Sequence, residues 1–428
     1  MVTALQKDPS SLTEDIREIA VNDPFEYTPA PFILSDQLPQ LLDAAFYASM
    51  LAEEGRYPRF RIVYHRDPLP LVALFDGSIP PDAETLRRLA PTVSDPACAL
   101  CLAPDYSEGL ACVGITHLRS LWQPKFLGTS QSRVGHSMID LVLSVEGPGH
   151  LRACVNTREA CVLYGGKVRS LRPVLMIDAF RSLMHQILKR LFANVDTEIL
   201  KYYGRPEIPS CVGDLEAIWS AVLDVTLDLG HGGVFVVLPL ERAINRLQIE
   251  QEYGIRCKYE CCIELGQAYL RWVQVAAQLR RFEFDNQEKT VPPKCLQKYH
   301  GLHNVCVNAE EDLKDTIRTV ARLSSTDGCV VLDRSLTVRG FGGEIRELEP
   351  DQKYRPLYRG NTDEVIPAEK IEAYGMRHRS ACRFSQRHGD VFLFVISQDK
   401  ELRLFHSEMN RTNRWDNLDA KSFQYSFD

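Results

Sequence analysis

Apolar side chains recur at three- and four-residue steps in several long segments, which is the spacing of amphipathic helices. In residues 35–54 the recurring positions are Leu38, Leu41, Leu42, Ala45, Phe46 and Met50. Asp214 can cap another helix, which continues to Gly230, since glycine is typical of a helix end. The same spacing predicts helices over residues 81–90, 176–192, 265–282 and 310–323.

Other segments have the pattern of strands. Residues 232–238 are a glycine-led, continuous apolar run, as in a strand that is buried on both faces. Gly165 and Gly166 join two β-prone runs and favour a hairpin turn. Further strands are predicted over residues 139–145, 327–332, 336–339, 390–396 and 402–405. Because strands alternate with helices, the pattern predicts an α/β fold with a mixed sheet flanked by helices.

Glycine and proline divide the chain. Its 428 residues are enough for two or three domains. Gly204 and Pro206 end a helical pattern, so we place a boundary there. This predicts an α/β domain of unassigned role over residues 1–205, with an irregular arm over 1–30, and a second domain over 206–428.

Composition and charge exclude several classes of protein. Hydrophobic residues make up 45% and charged residues 25%, which are the proportions of a globular protein. The net charge of -7 argues against a broad nucleic-acid-binding surface, which needs many cations. No apolar run approaches the length of a bilayer span, and charged residues interrupt the region where a secretory signal would lie. We therefore expect a cytoplasmic protein without membrane contact.

The thirteen cysteines suit reduced thiols better than a disulfide framework, because the chain is long and has no secretory signal. Cys98 and Cys101 are interpreted as structural, since no thioredoxin-like surroundings accompany them. A structural zinc site is the alternative to buried thiols and surface histidines for one further group, namely Cys295, His300, His303 and Cys306.

Two short motifs in the second half carry candidate chemistry. Asp327 and Gly328 open a buried strand, where the carboxylate can hold a divalent metal or a ribose hydroxyl and the glycine lets a ligand approach the backbone. Arg377, His378 and Arg379 place two guanidinium groups beside an imidazole, a combination that suits phosphate oxygens. For either motif alone, a plain turn or a solvated basic cluster is the alternative.

Two glycine-rich runs lie outside these motifs. Residues 340–343 lack the Lys-Ser/Thr of a phosphate loop and are predicted to form a turn at a strand end. His231 lies at a strand start beside the proposed pocket, where it caps or packs or serves as a ligand.

The order of the two motifs resembles that of the diadenylate cyclase domain family, whose members carry an Asp-Gly-Ala strand start and then Gly-x-Arg-His-Arg-x-Ala. The resemblance covers residues 212–408. It implies a diadenylate-cyclase-like fold that binds ATP or a cyclic dinucleotide, with Mg²⁺ or Mn²⁺ at Asp327 and backbone approach at Gly328. It also implies phosphate contacts from Arg377, His378, Arg379, Ser380 and Ser397.

Departures from that pattern favour a receptor over an enzyme. Cys329 replaces the alanine, Thr326 replaces a histidine and Gln398 replaces an acidic residue. Insertions are predicted near residues 251–310 and 344–374. With these features the chain is similar to the offshoot described as probable sensor domains of the DACNV type, which are thought to bind nucleotides or nucleotide-derived signals.

Three hypotheses follow from the resemblance. The first is a nucleotide-binding sensor. The second is an active diadenylate cyclase that makes cyclic di-AMP from two ATP molecules, with Asp327 as catalytic residue and two protomers face to face in a homo-oligomer. The third is a non-catalytic scaffold with a vestigial site.

Overall fold

The fold is that of a computed structural model of the full chain. The residues that the structure describes are 9, 11–21, 30–52, 55–66, 69–95, 98–105, 109–117, 140–155, 159–164, 166–174, 177–193, 195, 209–239, 245–285, 293–346, 355–367, 370–371, 373–408 and 411–420. They fall into two compact units, of which the second begins at Val174. The Tyr203 to Pro206 stretch, where the sequence predicts a boundary, lies outside the described residues.

The first unit contains a mixed sheet and four described helices. The helices are α1 (Ser11–Val21), α2 (Pro31–Leu34), α3 (Gln37–Met50) and α4 (Ala83–Leu89). The strands are β1 (Phe60–Tyr64), β2 (Leu71–Ile79), β3 (Cys98–Asp105), β4 (Gly109–His117), β5 (Leu141–Gly147), β6 (His150–Val155), β7 (Glu159–Tyr164) and β8 (Lys167–Pro173). Their order is β8-β7-β6-β5-β1-β3-β4-β2, and only the β1–β3 pair is parallel among the described pairs of this sheet.

Burial explains the helices of this unit. Leu38, Leu41 and Leu42 of α3 are buried in one core with strand residues such as Ile62 and Leu143. This confirms the amphipathic helix that the spacing predicts. Residues 11–21, in the arm that we expected to be irregular, form α1, because Leu12, Ile16 and Ala20 share one helical face and are buried in the same core.

The second unit contains the other described elements. Its helices are α5 (Asp178–Leu191), α6 (Pro209–Leu229), α7 (Arg246–Tyr253), α8 (Leu265–Asp285), α9 (Pro293–Leu323) and α10 (Met376–Arg387). Its strands are β9 (Gly233–Leu238), β10 (Ile255–Glu264), β11 (Cys329–Asp333), β12 (Thr337–Ile345), β13 (Leu357–Arg359), β14 (Phe392–Ile396), β15 (Leu402–Glu408) and β16 (Arg411–Asp419). The order is β10-β12-β11-β9-β14-β15-β16, and β13 pairs with β16.

The predicted central strand is confirmed. All six residues of β9 are buried, and β9 pairs with β11 in parallel and with β14 in antiparallel orientation. The two units thus confirm the predicted α/β class, with a mixed sheet in each. Helix α5, which we expected in the first domain, belongs to the second unit, where Phe180 packs edge-on against Phe394 of β14.

One prediction within the second unit differs from the structure. Residues 340–343, predicted as a turn, continue β12, because the glycines let the strand approach its neighbours closely: a Cβ on Gly343 would lie 2.6 Å from Cys329 Sγ. The segment 251–310, which stays predicted as an insertion, contains β10, α8 and much of α9. Among the described helices, none combines the length and apolar character that crossing a bilayer requires.

Candidate functional site

The candidate site lies at one edge of the second unit's sheet. Strands β9 and β11 are parallel, with Cys329 opposite Val234, so both begin at this edge. Strand β14 runs the other way, with Ile396 opposite Gly233, so it ends there. The residues just before β9 and β11 and just after β14 therefore meet, although they are far apart in the sequence.

Arg377 joins two of these segments. Its Nη2 atom lies 3.7 Å from Asp327 Oδ1, and its Nη1 atom donates a 3.2 Å hydrogen bond to the carbonyl oxygen of His231. The Asp327 side chain is 90% exposed and that of Arg377 is 38% exposed. Because Arg377 is the second residue of α10, the guanidinium adds to the positive end of the helix dipole. The edge thus presents an accessible cation and carboxylate side by side.

Two glycines make this edge tight. Gly232 has a φ of 67°, and a Cβ there would lie 2.7 Å from the Ile396 carbonyl oxygen and 3.3 Å from Arg377 Nη1. Gly328 has a φ of 114°, and its Cβ would lie 2.7 Å from the carbonyl carbon of Gly342. The close approach that requires glycine at Gly328 is therefore to β12.

His378, which the sequence assigns to the phosphate cluster, is a largely buried residue of α10. The residue is only 9% exposed, and its ring centroid lies 6.4 Å from that of Tyr374. Burial, reinforced by the nearby Arg403 guanidinium, lowers the pKa of His378 to about 4. A neutral imidazole adds no positive charge at pH 7, so a contact between His378 and a phosphate would rest on hydrogen bonding alone, and this role stays a prediction.

Helix geometry separates the other predicted phosphate ligands. Arg379 is half-buried and two positions after Arg377, and side chains at i and i+2 do not share a helix face. The Ser380 hydroxyl donates to the Met376 carbonyl oxygen at 2.9 Å and lines a small cavity beside Arg383. The structure brings Asp327 and Arg377 together at 3.7 Å, whereas the Ser380 hydroxyl is held by the backbone of its own helix.

Ser397 borders the site through its backbone. Its carbonyl carbon would lie 3.2 Å from a Cβ on Gly232. Its hydroxyl instead accepts a 3.1 Å hydrogen bond from the backbone N–H of Glu401, which closes the β14–β15 turn. Because the hydroxyl only accepts in this bond, its proton can still be donated to a phosphate, so the predicted contact from Ser397 is compatible with the turn.

The side chains at this edge can hold a divalent metal only if a bound nucleotide supplies further ligands. Asp327 is the carboxylate at this edge, and no group of three or more His, Cys, Asp or Glu side chains suited to a metal occurs among the described residues. Mg²⁺ is commonly held by one or two carboxylates together with substrate phosphates and water. The residues therefore fit a metal that arrives with a nucleotide.

The zinc alternative is not supported by the geometry. Its four candidate residues all lie on α9, and Cys295 and Cys306 are separated by about 16 Å along the axis at 1.5 Å per residue.

In the first unit, burial raises the pKa of Cys101 to about 11 and that of Cys112 to about 12, so these thiols are protonated at neutral pH.

Two parts of the candidate site were not predicted from the sequence. The backbone carbonyl of His231 holds Arg377, and Gly232 leaves the space for it. The glycine run over residues 230–233 is the signal that points to both. The helical state of residues 376–387, which decides where each motif side chain points, was also not predicted.

Comparison with known families supports one part of this picture. Residues 28–117 match the family described as Probable sensor domain DACNV. This span lies in the first unit and agrees with the resemblance to DACNV-type sensors, so it supports a sensor role. No curated protein matches the chain.

Proposed function

We propose that the second unit binds a nucleotide through its phosphates and that the chain acts as a sensor of that nucleotide. The observation that carries the proposal is the position of Arg377, which contacts both Asp327 and the backbone before β9. A guanidinium held in this way is oriented before a ligand arrives, so little side-chain entropy is lost on binding. The match to a probable sensor domain supports the sensing part of the proposal.

The local chemistry favours phosphate over a neutral ligand. Arg377 lies in the first turn of α10, where no side chain caps the backbone N–H groups. Phosphate oxygens suit both the unpartnered N–H groups of a helix N-terminus and the guanidinium fork. A Mg²⁺ or Mn²⁺ ion bound with the nucleotide would supply charge neutralisation, and Asp327 is the residue placed to hold it.

The first experiment measures ATP and cyclic di-AMP binding by calorimetry, with and without Mn²⁺. Arg377→Ala should weaken binding roughly 10- to 150-fold, the loss expected when charge-assisted hydrogen bonds worth about 1.5–3 kcal/mol are removed. Arg318→Ala is the matched control, because Arg318 is 42% exposed and also pairs with a carboxylate, at 3.1 Å from Asp315. Equal affinities for the two variants would refute the proposed site.

A second experiment separates the sensor from the other hypotheses. Asp327→Asn should remove the part of the affinity that depends on Mn²⁺, because the amide is a poorer ligand for the ion than a carboxylate. Incubation of the protein with ATP and Mn²⁺ tests for synthesis: a cyclic dinucleotide product that is lost in Asp327→Asn would establish the cyclase instead. If the unmodified chain binds neither ATP nor cyclic di-AMP, the scaffold hypothesis is favoured.

A further inference from the structure

An aromatic pair of one exposed and one half-buried ring lies beside the candidate site. Tyr259 of β10 and Phe341 of β12 are directly opposite each other in the sheet. Their rings are stacked, with centroids 4.8 Å apart and an angle of 23° between the planes. Although the ring is large and partly apolar, Tyr259 is 52% exposed. The pair thus offers an aromatic face to solvent.

The glycines around Phe341 explain why the pair stays uncovered. Gly340, Gly342 and Gly343 surround it in β12 and add no side chains. Gly340 fits closely against Cys257, from which a Cβ would be 3.0 Å away. A Cβ on Gly342 would lie 3.4 Å from Tyr259 Cδ2, so a larger side chain at this position would cover part of the tyrosine ring.

The pair is close to the carboxylate of the candidate site. A point that a Cβ on Gly342 would occupy lies 3.4 Å from Tyr259 Cδ2 and 3.5 Å from the Thr326 methyl carbon Cγ2. Thr326 directly precedes Asp327, whose carboxylate lies 3.7 Å from Arg377 Nη2. The tyrosine ring and the charged pair therefore lie on neighbouring parts of one surface of the second unit.

We infer that the Tyr259–Phe341 pair is the stacking surface for the base of the nucleotide whose phosphates Arg377 binds. The inference rests on the proposed function and assigns it a ligand class, namely a nucleotide with an aromatic base rather than an inorganic polyphosphate. Every nucleobase presents a π face, and stacking on an aromatic side chain is favourable without base-specific hydrogen bonds. Charge and stacking at adjacent positions match the two chemically different parts of a nucleotide.

The test compares ATP with inorganic tripolyphosphate, which carries a similar charge but no base. Tyr259→Ala should weaken ATP binding roughly 5- to 150-fold, the range for removal of one base-stacking aromatic, and leave tripolyphosphate binding unchanged. Tyr259→Phe should bind ATP as the unmodified chain does. The matched control is Tyr47→Ala in α3, because Tyr47 is 60% exposed and also adjoins a phenylalanine ring, 5.8 Å away.

A variant that keeps apolar packing separates stacking from support of the strand. Tyr259→Leu retains an apolar contact with Phe341 but has no π face, so it should lose ATP affinity as Tyr259→Ala does. Equal weakening of ATP and tripolyphosphate would show that the ring only supports the sheet and would overturn the inference. ATP binding that depends on Arg377 but not on Tyr259 would overturn it too, while the proposed function would stand. If the unmodified chain binds no nucleotide, both fail.

Discussion

The tightness of the candidate site can be tested with two glycines that lie two positions apart. Gly230 and Gly232 both have a positive φ, of 71° and 67°, which strains any L-residue. A Cβ on Gly230 would meet nothing within 4 Å, whereas one on Gly232 would lie 2.7 Å from the carbonyl oxygen of Ile396. Gly230→Ala and Gly232→Ala therefore share the backbone strain and differ only in the steric contact.

The structure sets the expected magnitudes. Placing an L-residue in the left-handed region costs about 1–2 kcal/mol, which both variants pay in unfolding free energy. Gly232→Ala must also displace the backbone at the end of β14, and overpacking of this kind adds roughly 1–3 kcal/mol. Because the same Cβ would lie 3.3 Å from Arg377 Nη1, the displacement also reaches the guanidinium. We expect Gly232→Ala alone to lose ATP affinity.

Tryptophan fluorescence during urea unfolding is a suitable assay, since Trp219, Trp272 and Trp415 all lie in the second unit. The midpoint should fall further for Gly232→Ala than for Gly230→Ala, and calorimetry with ATP should separate the two in the same order. If both variants unfold at the same urea concentration and bind ATP equally, the edge has room for a side chain, and the reasoning about this site is wrong.

Three further predictions concern stability and reactivity. Burial is the chief cause that lowers the folded-state pKa to about 4 in three histidines, His378, His388 and His406. The unfolding free energy should therefore be fully present above pH 6.5 and fall as the pH drops towards 4. Urea midpoints at pH 7 and pH 5 would show this fall, and equal midpoints would contradict it. Iodoacetamide at pH 8 should label exposed Cys262 well before buried Cys101, as peptide mass spectrometry can measure; equal rates would argue against the burial. Asp333→Asn should cost about 3–5 kcal/mol of unfolding free energy, because it breaks a 2.6 Å ion pair between Arg339 and a buried carboxylate, and an unchanged urea midpoint would refute this.

The meeting of Asp327 with Arg377 could be anticipated from the sequence to a useful extent. Continuous apolar runs identified β9, β11 and β14 without an alignment, because strands buried on both faces leave a strong signal. The residues before two parallel strands and the residues after an antiparallel neighbour must lie at the same edge of the sheet. The strand order that makes these three strands neighbours is not written in any one segment of the sequence, and only the structure shows it.

The roles of His378 and Arg379 could not be anticipated in the same way. Residues 376–387 contain four arginines and few apolar side chains, so the helical pattern is weak, and the buried set includes Ser385 and Gln386 as well as Ala381. Once the segment is a helix, three consecutive residues must point in three directions about 100° apart. Local sequence proximity therefore overstated how much of the motif shares one site.

Strand β10 was hard to predict from the sequence because its residues look like those of a loop. Most of its residues are exposed or half-buried, since it lies at the end of the second unit's sheet order and faces a neighbour only on one side. An edge strand with Arg256, Lys258 and Glu260 in it resembles a solvated loop in composition, and such charges are typical of strand edges. The aromatic pair became visible only when β12 placed Phe341 opposite Tyr259.

The sensor hypothesis now depends on observations in separate parts of the chain. The family match falls in residues 28–117 of the first unit, whereas the guanidinium, the carboxylate and the aromatic pair all belong to the second. These observations are independent, because substitutions at Arg377 or Tyr259 leave the matched segment unaltered. If such substitutions abolish nucleotide binding, residues of the second unit are required for the ligand site, whereas the match that supports a sensor role lies in the first unit.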